Sequence, residues 1–186
     1  MWTSRRTLGT ALAAVLGALS LAFAAVAFAA PSNHHHPGPG AHHPTGSDHP
    51  RPRHGVTLID ESLAPSQTTD PTFHGVNPGG APWVLKSGRV RLTSDGRLDL
   101  EVRGLVIPTT GTASPVTTIT ASLYCGADAD AMPADTTQPV PISSTGDARI
   151  KDRSFSVPST CLAPVILVHP NGSPTAYIAL DGWRLS

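Results

Sequence analysis

The chain has 186 residues, with 13 Lys and Arg against 13 Asp and Glu, so its formal net charge at neutral pH is zero. Charged residues make up only 14% of the sequence, whereas an average soluble domain carries about 25%. The 17 Gly and 19 Pro exceed ordinary usage and favour a fold with many turns over one built from long helices. Balanced, scattered charge and few aromatic residues argue against a nucleic-acid-binding protein.

Residues 1–29 have the pattern of a secretory signal peptide. Arg5 and Arg6 precede an apolar run that starts at Leu8, and Ala27–Ala29 supplies an A-x-A cleavage site. The sequence therefore predicts a secreted or envelope-associated protein. The segment could instead remain uncleaved as a membrane anchor, and we expect no other contact of the chain with a membrane. Export by the twin-arginine route is an alternative to the ordinary secretory route.

Residues 30–55 are predicted to form a disordered linker. The stretch 31–55 contains six Pro, four Gly and seven of the nine His, and no aliphatic side chain larger than Ala, so it has no apolar area to offset the entropy of ordering. Its imidazoles suit Zn²⁺, Ni²⁺ or Cu²⁺. The candidate metal ligands are His34, His35, His36, His42 and His43. Adventitious binding by a low-complexity linker is the alternative.

Residues 56–186 are predicted to form one all-β domain, an antiparallel sandwich or partly open barrel of about 7–9 short strands. The strongest signal is a hairpin in which apolar and polar residues alternate over 89–93 and 97–102, on either side of Asp95 and Gly96. This alternation places Asp99 and Glu101 on the solvated face, where they pair with cations rather than catalyse.

Seven further strands are expected from short apolar or alternating runs. They are residues 56–59, 83–85, 117–125, 148–151, 154–157, 165–168 and 177–180. The run 165–168 is apolar throughout, which is typical of a central strand covered on both faces.

Cys125 and Cys161 are the two cysteines of the chain. An exported protein meets an oxidising environment, so we predict that they form a disulfide. Two buried free thiols are the alternative.

Catalytic signatures are absent from the sequence. The predicted domain contains two histidines, His74 and His169, and neither lies in a recognised motif; His169 is expected at a strand end or in a loop. A nucleophile elbow and a zinc-protease motif are also missing. Trp83 and Trp183 are candidate anchors for a polysaccharide or protein partner, with core packing as the alternative.

Six short segments together resemble a family of secreted actinobacterial β-domain proteins, and the similarity extends over most of 81–182. The segments are 81–83, 104–108, 122–125, 146–148, 161–164 and 177–179. The resemblance implies secretion and paired cysteines, but no site, because the family has no established activity. Residues 94–98 and 102–105 are also similar to the front half of the CHRD domain, a secreted β module, although its later His-containing segment is missing.

The sequence thus predicts an exported, non-enzymatic β module that binds an extracellular protein or a cell-wall polymer and needs no cofactor. Metal binding by the His-rich linker is the second hypothesis. A hydrolase with an unrecognised site, using His74 or His169, is the third.

Overall fold

The computed structural model describes residues 55–130 and 132–185. The predicted signal peptide, and the linker up to His54, lie outside these residues. The strands are β1 (Thr57–Pro65), β2 (Asn77–Pro78), β3 (Ser87–Thr93), β4 (Leu98–Arg103), β5 (Thr118–Tyr124), β6 (Asp135–Thr136), β7 (Val140–Pro141), β8 (Ala148–Asp152), β9 (Val165–Pro170), β10 (Ala176–Tyr177) and β11 (Ala179–Asp181). Nowhere in the described ranges does a helix have the length and apolarity needed to cross a membrane.

The main sheet is antiparallel and curls into a half-barrel. Its strand order is β6-β5-β9-β11-β1-β3-β4-β8, and the short β7 also pairs with β5. The far strand, β8, comes back close to β5 and β7 without pairing with them. This confirms the predicted all-β fold in its partly open barrel form. Strands β2 and β10 form a separate parallel pair.

The predicted hairpin is β3 and β4. Its inner residues, such as Val90 and Leu100, are fully buried in the barrel core, and the outer face of the strands is charged. Gly96 adopts φ +76° in the turn, and a Cβ at this position would meet the carbonyl oxygen of Phe155 at 2.5 Å. Glycine therefore suits both the conformation and the space of the turn.

Strands β5 and β9 are buried on both faces. Ile119 and Ile166 point into the barrel core, while Tyr124 and Leu167 pack on the outside against Tyr177. A second apolar layer, formed by the segment before β3 together with β10, thus covers this side of the sheet. The prediction of a central strand over 165–168 is confirmed.

The disulfide between Cys125 and Cys161 is present, with its Cα atoms 5.0 Å apart. It joins the end of β5 to the loop that leads into β9, and both cysteines pack against the barrel core. The predicted pairing is confirmed, and it gives weak support to an oxidising, extracytoplasmic location.

Two predicted strands are wrong. In the segment 83–85 only Val84 pairs, through an isolated bridge to Val106. The segment 154–157 is a loop in which the ring of Phe155 inserts into the core. The backbone amide of Phe155 donates to the Gly96 carbonyl oxygen at 3.0 Å. Burial of one large side chain, rather than strand pairing, explains the apolar character of each segment.

Candidate binding site

The backbone after β11 turns outward and exposes an indole ring. Gly182 has φ +141°, and its amide donates to the Ser62 carbonyl oxygen at 2.8 Å. The next residue, Trp183, is 76% exposed. An aromatic side chain this exposed is a candidate contact residue, because burying it on a partner releases a large apolar area from water.

The residue after the exposed ring is held as firmly as the residue before it. Arg184 Nη2 lies 2.7 Å from both carboxylate oxygens of Asp70. The Asp70 carboxylate in turn accepts a hydrogen bond from the backbone amide of Gln67 at 2.7 Å. The Asp70 side chain is largely shielded from solvent. Trp183 therefore stands between two fixed neighbours, so ordering this segment on binding costs little backbone entropy.

A shallow cleft of about 340 Å³ lies beside the indole. Its walls come from β1, from the start of β3 and the residues just before it, and from the segment after β11. The lining residues are Ser62, Leu63, Pro65, Leu85, Lys86, Ser87, Gly88, Trp183 and Arg184. Apolar side chains, hydroxyl groups and two cations thus surround one space, and no carboxylate lines it.

The two tryptophans predicted as anchors have different roles. Trp83 is only 3% exposed and belongs to the barrel core. Its amide donates to the Ser66 carbonyl oxygen at 2.9 Å, and its own carbonyl accepts from the Gln67 side chain at 2.8 Å. For Trp83 the core alternative holds, and the anchor hypothesis now concerns Trp183 alone.

A second pocket, of about 240 Å³, opens at one end of the barrel beside the disulfide. It is lined by core side chains, by the half-exposed Leu58, by Cys161 and by the loop 157–159. Its polar side chain is that of Ser159 alone. Specific ligand sites combine an apolar lining with several convergent polar groups, so this pocket is a weaker candidate than the Trp183 cleft.

His169 lies at the end of β9, as the strand-end prediction has it, but the residue is buried. It lies in β9, is 2% exposed, and its Nδ1 donates to the Ala176 carbonyl oxygen at 2.8 Å. Its Nε2 is buried and has no partner among the described residues. Burial lowers its pKa below the usual 6.5, so the ring is neutral at physiological pH.

His74 lies outside the barrel with its ring stacked on Tyr124, the two centroids 5.0 Å apart. Its Nδ1 donates to the Asp128 carbonyl oxygen at 3.0 Å. In the described part of the chain, neither His74 nor His169 hydrogen-bonds a serine hydroxyl or a carboxylate. The hydrolase hypothesis therefore gains no nucleophile and base pair from this geometry.

The predicted metal ligands His34, His35, His36, His42 and His43 lie outside the described residues. Among the residues described, no group of three or more His, Cys, Asp or Glu side chains is placed to hold a metal ion. Metal binding by the linker stays a prediction.

Comparisons with known proteins add no assignment: no family model, no curated protein and no solved structure matches the chain. The resemblances to a secreted β-domain family and to the CHRD domain also stay predictions.

Sequence reasoning missed most of the candidate site. Lys86 and Arg184 stand alone in the sequence, without a motif, and Asp70 is separated from its partner Arg184 by 114 residues. The one usable signal was Trp183 directly after Gly182, a residue that lets the chain turn sharply.

Proposed function

We propose that this protein is an exported, non-enzymatic binding module that holds an extracellular polysaccharide in the Trp183 cleft. The observation that carries the proposal is an indole ring that is 76% exposed yet held between two anchored neighbours. The signal-peptide pattern and the disulfide support the location. A fixed aromatic surface suits the flat apolar face of a sugar ring, and neighbouring hydroxyl groups and cations suit its polar rim.

The cleft fits a sugar chain better than a protein partner. A stable protein interface buries roughly 800 Å² on each side around an apolar core. The cleft is shallow, and its one large exposed aromatic ring is surrounded by Lys86, Ser62 and Ser87. Such a mixture of one stacking surface and several polar groups matches a ligand of alternating apolar and hydroxylated faces.

The test is binding of the exported protein to a panel of soluble and insoluble cell-wall polysaccharides. We expect at least one polysaccharide to bind and the variant Trp183→Ala to lose most of that affinity. Leu162→Ala is the matched control, because Leu162 is 73% exposed but lies outside the cleft.

Fluorescence gives an independent readout, because Trp83 is buried and Trp183 is exposed. Polysaccharide binding should protect the exposed indole from iodide quenching. Absence of binding across the panel, or equal binding by Trp183→Ala and the wild type, would overturn the proposal. Capture of a protein partner that depends on Trp183 would replace the polysaccharide with a protein.

A further inference from the structure

We propose that the Trp183 cleft selects a sugar that carries a carboxylate, with the sugar ring stacked on the indole and the carboxylate facing the Lys86 ammonium group. This inference rests on the proposed function and adds the chemical class of the ligand. It comes from the charges that line the cleft and from the polar groups there that have no protein partner.

The cleft is a positive site in an acidic domain. Residues 56–186 contain nine Lys and Arg against twelve Asp and Glu, yet the residues that line the cleft include two cations and no acid. The charge of Arg184 is balanced by Asp70. Lys86 therefore supplies the charge that no residue of the lining balances, and an anion in the cleft would face no carboxylate of the lining.

Lys86 is exposed and forms no ion pair with any described residue. The positive charge of Lys86 helps to lower the pKa of Asp147. The hydrogen bonds from the Gly104 backbone amide and from Thr145 contribute most to this lowering, followed by Arg103 and then Lys86. Asp147 is committed to those two hydrogen bonds, each 3.0 Å long. The Lys86 ammonium group is therefore available to a ligand.

The hydroxyl groups of Ser62 and Ser87 are also available. Both residues are exposed and line the cleft, and neither hydroxyl forms a hydrogen bond with another described residue; the anchoring bond from Gly182 uses the Ser62 carbonyl oxygen instead. A serine hydroxyl both donates and accepts, which matches the hydroxyl groups of a sugar. The indole, the ammonium group and the two hydroxyl groups are together complementary to a pyranose ring that carries a carboxylate.

The test compares each acidic sugar with its neutral ester by titration calorimetry on the exported protein. The probes are tri-galacturonate and a hyaluronate hexasaccharide, each with its fully methyl-esterified counterpart. We expect at least one acid to bind about tenfold more tightly than its ester, the gain typical of one charge-assisted hydrogen bond. That preference should shrink as salt increases, because the charges are exposed.

The chain contains two lysines, so the second provides a matched control. Lys86→Gln should abolish the preference for the acid, and Lys151→Gln, on the charged outer face of β8, should keep it. Equal binding of acid and ester, with both lost in Trp183→Ala, would overturn the inference while the proposed function stands. If none of the four probes binds but a neutral polysaccharide from the panel does, the inference is likewise overturned and the proposed function stands. If no polysaccharide binds at all, both the inference and the proposed function are overturned.

Discussion

Arg184 and Asp70, 114 residues apart in the chain, form an ion pair in which one guanidinium nitrogen lies 2.7 Å from each carboxylate oxygen. This contact ties the segment that carries Trp183 to the loop after β1. It gives the candidate site its order, because Trp183 itself is largely exposed and does not belong to the packed core.

The variant Arg184→Met should therefore weaken polysaccharide binding more than it weakens the fold. A partly exposed ion pair contributes about 0–1 kcal/mol to stability, so the urea midpoint should hardly change. Affinity should fall several-fold because Trp183 must then be ordered during binding. Calorimetry together with urea unfolding measures both quantities. A large loss of stability with unchanged affinity would show that the pair supports the fold instead.

Removal of the disulfide should destabilise the barrel strongly. The bond closes a loop with a sequence separation of 36 residues, for which the chain-entropy model gives about 4 kcal/mol. The double variant Cys125→Ser with Cys161→Ser should lose roughly this free energy of unfolding in urea. The wild type measured under a strong reductant is the control. A loss below about 1 kcal/mol would mean that the loop is ordered by packing alone.

His169 should make the fold sensitive to acid. Its pKa is lowered in the folded state by burial, so the unfolded state binds the proton more readily. Stability should then be lost as pH falls below about 6.5, with a slope of at most about 1.4 kcal/mol per pH unit. The titratable side chain that faces His169 is Tyr124, and the centroids of the two rings are 6.3 Å apart. The His74 ring is stacked on Tyr124.

The variant His169→Asn tests this origin, because it keeps a donor toward the Ala176 carbonyl oxygen and removes the titrating ring. Urea unfolding between pH 7.5 and 5 should show a shallower pH dependence for His169→Asn than for the wild type. Identical slopes for His169→Asn and the wild type would place the acid sensitivity elsewhere.

Asp181 carries a half-buried charge that costs stability at neutral pH. Its pKa is raised, first by burial and also by the neighbouring Glu61, so the folded state holds the proton more tightly than the unfolded state. This penalty grows as pH rises above the usual 3.8. In the wild type the Ile166 backbone amide donates to Asp181 Oδ1 at 2.8 Å. Asp181→Asn removes the charge and retains an oxygen that can accept this hydrogen bond.

We expect Asp181→Asn to raise the urea midpoint at pH 7 and to lose this advantage near pH 3, where the wild-type carboxyl is neutral. Asp181→Ala should instead lose about 1–3 kcal/mol, because the Ile166 amide is then left without its acceptor. A midpoint that falls in Asp181→Asn at pH 7 would show that the charge itself is favourable.

Gly146 should tolerate alanine far less well than Gly111. Both have positive φ, +81° and +67°, and a left-handed conformation costs a non-glycine residue about 1–2 kcal/mol. A Cβ at Gly111 meets no atom within 4 Å, whereas at Gly146 it would overlap the backbone of Leu105. Thermal and urea unfolding of the two variants separate this overlap from conformational strain, and equal losses would contradict it.

The sequence by itself determined the fold class. Alternation over 89–93 and 97–102 fixes which side of each strand is apolar, since side chains alternate across a strand. The continuous apolar run 165–168 likewise indicates a strand covered on both sides. These patterns are local, so they can be read without knowing which strands pair.

Local patterns failed where a single large side chain reaches the core from a loop. Trp83 and Phe155 made their segments resemble strands, although neither lies in one. The strand-end position of His169 was predicted, but its burial was not, because burial depends on segments that pack on β9 from elsewhere in the chain.

Only the tertiary structure decided that the sheet curls into a half-barrel and that Trp83 is buried while Trp183 is exposed. Both tryptophans follow small or turn-forming residues, so their sequences predict similar roles. Their different environments depend on contacts between distant parts of the chain, among them the Gly182 amide with Ser62 and Arg184 with Asp70. Burial and charge pairing depend on the whole fold, whereas hydrophobic periodicity belongs to each strand alone.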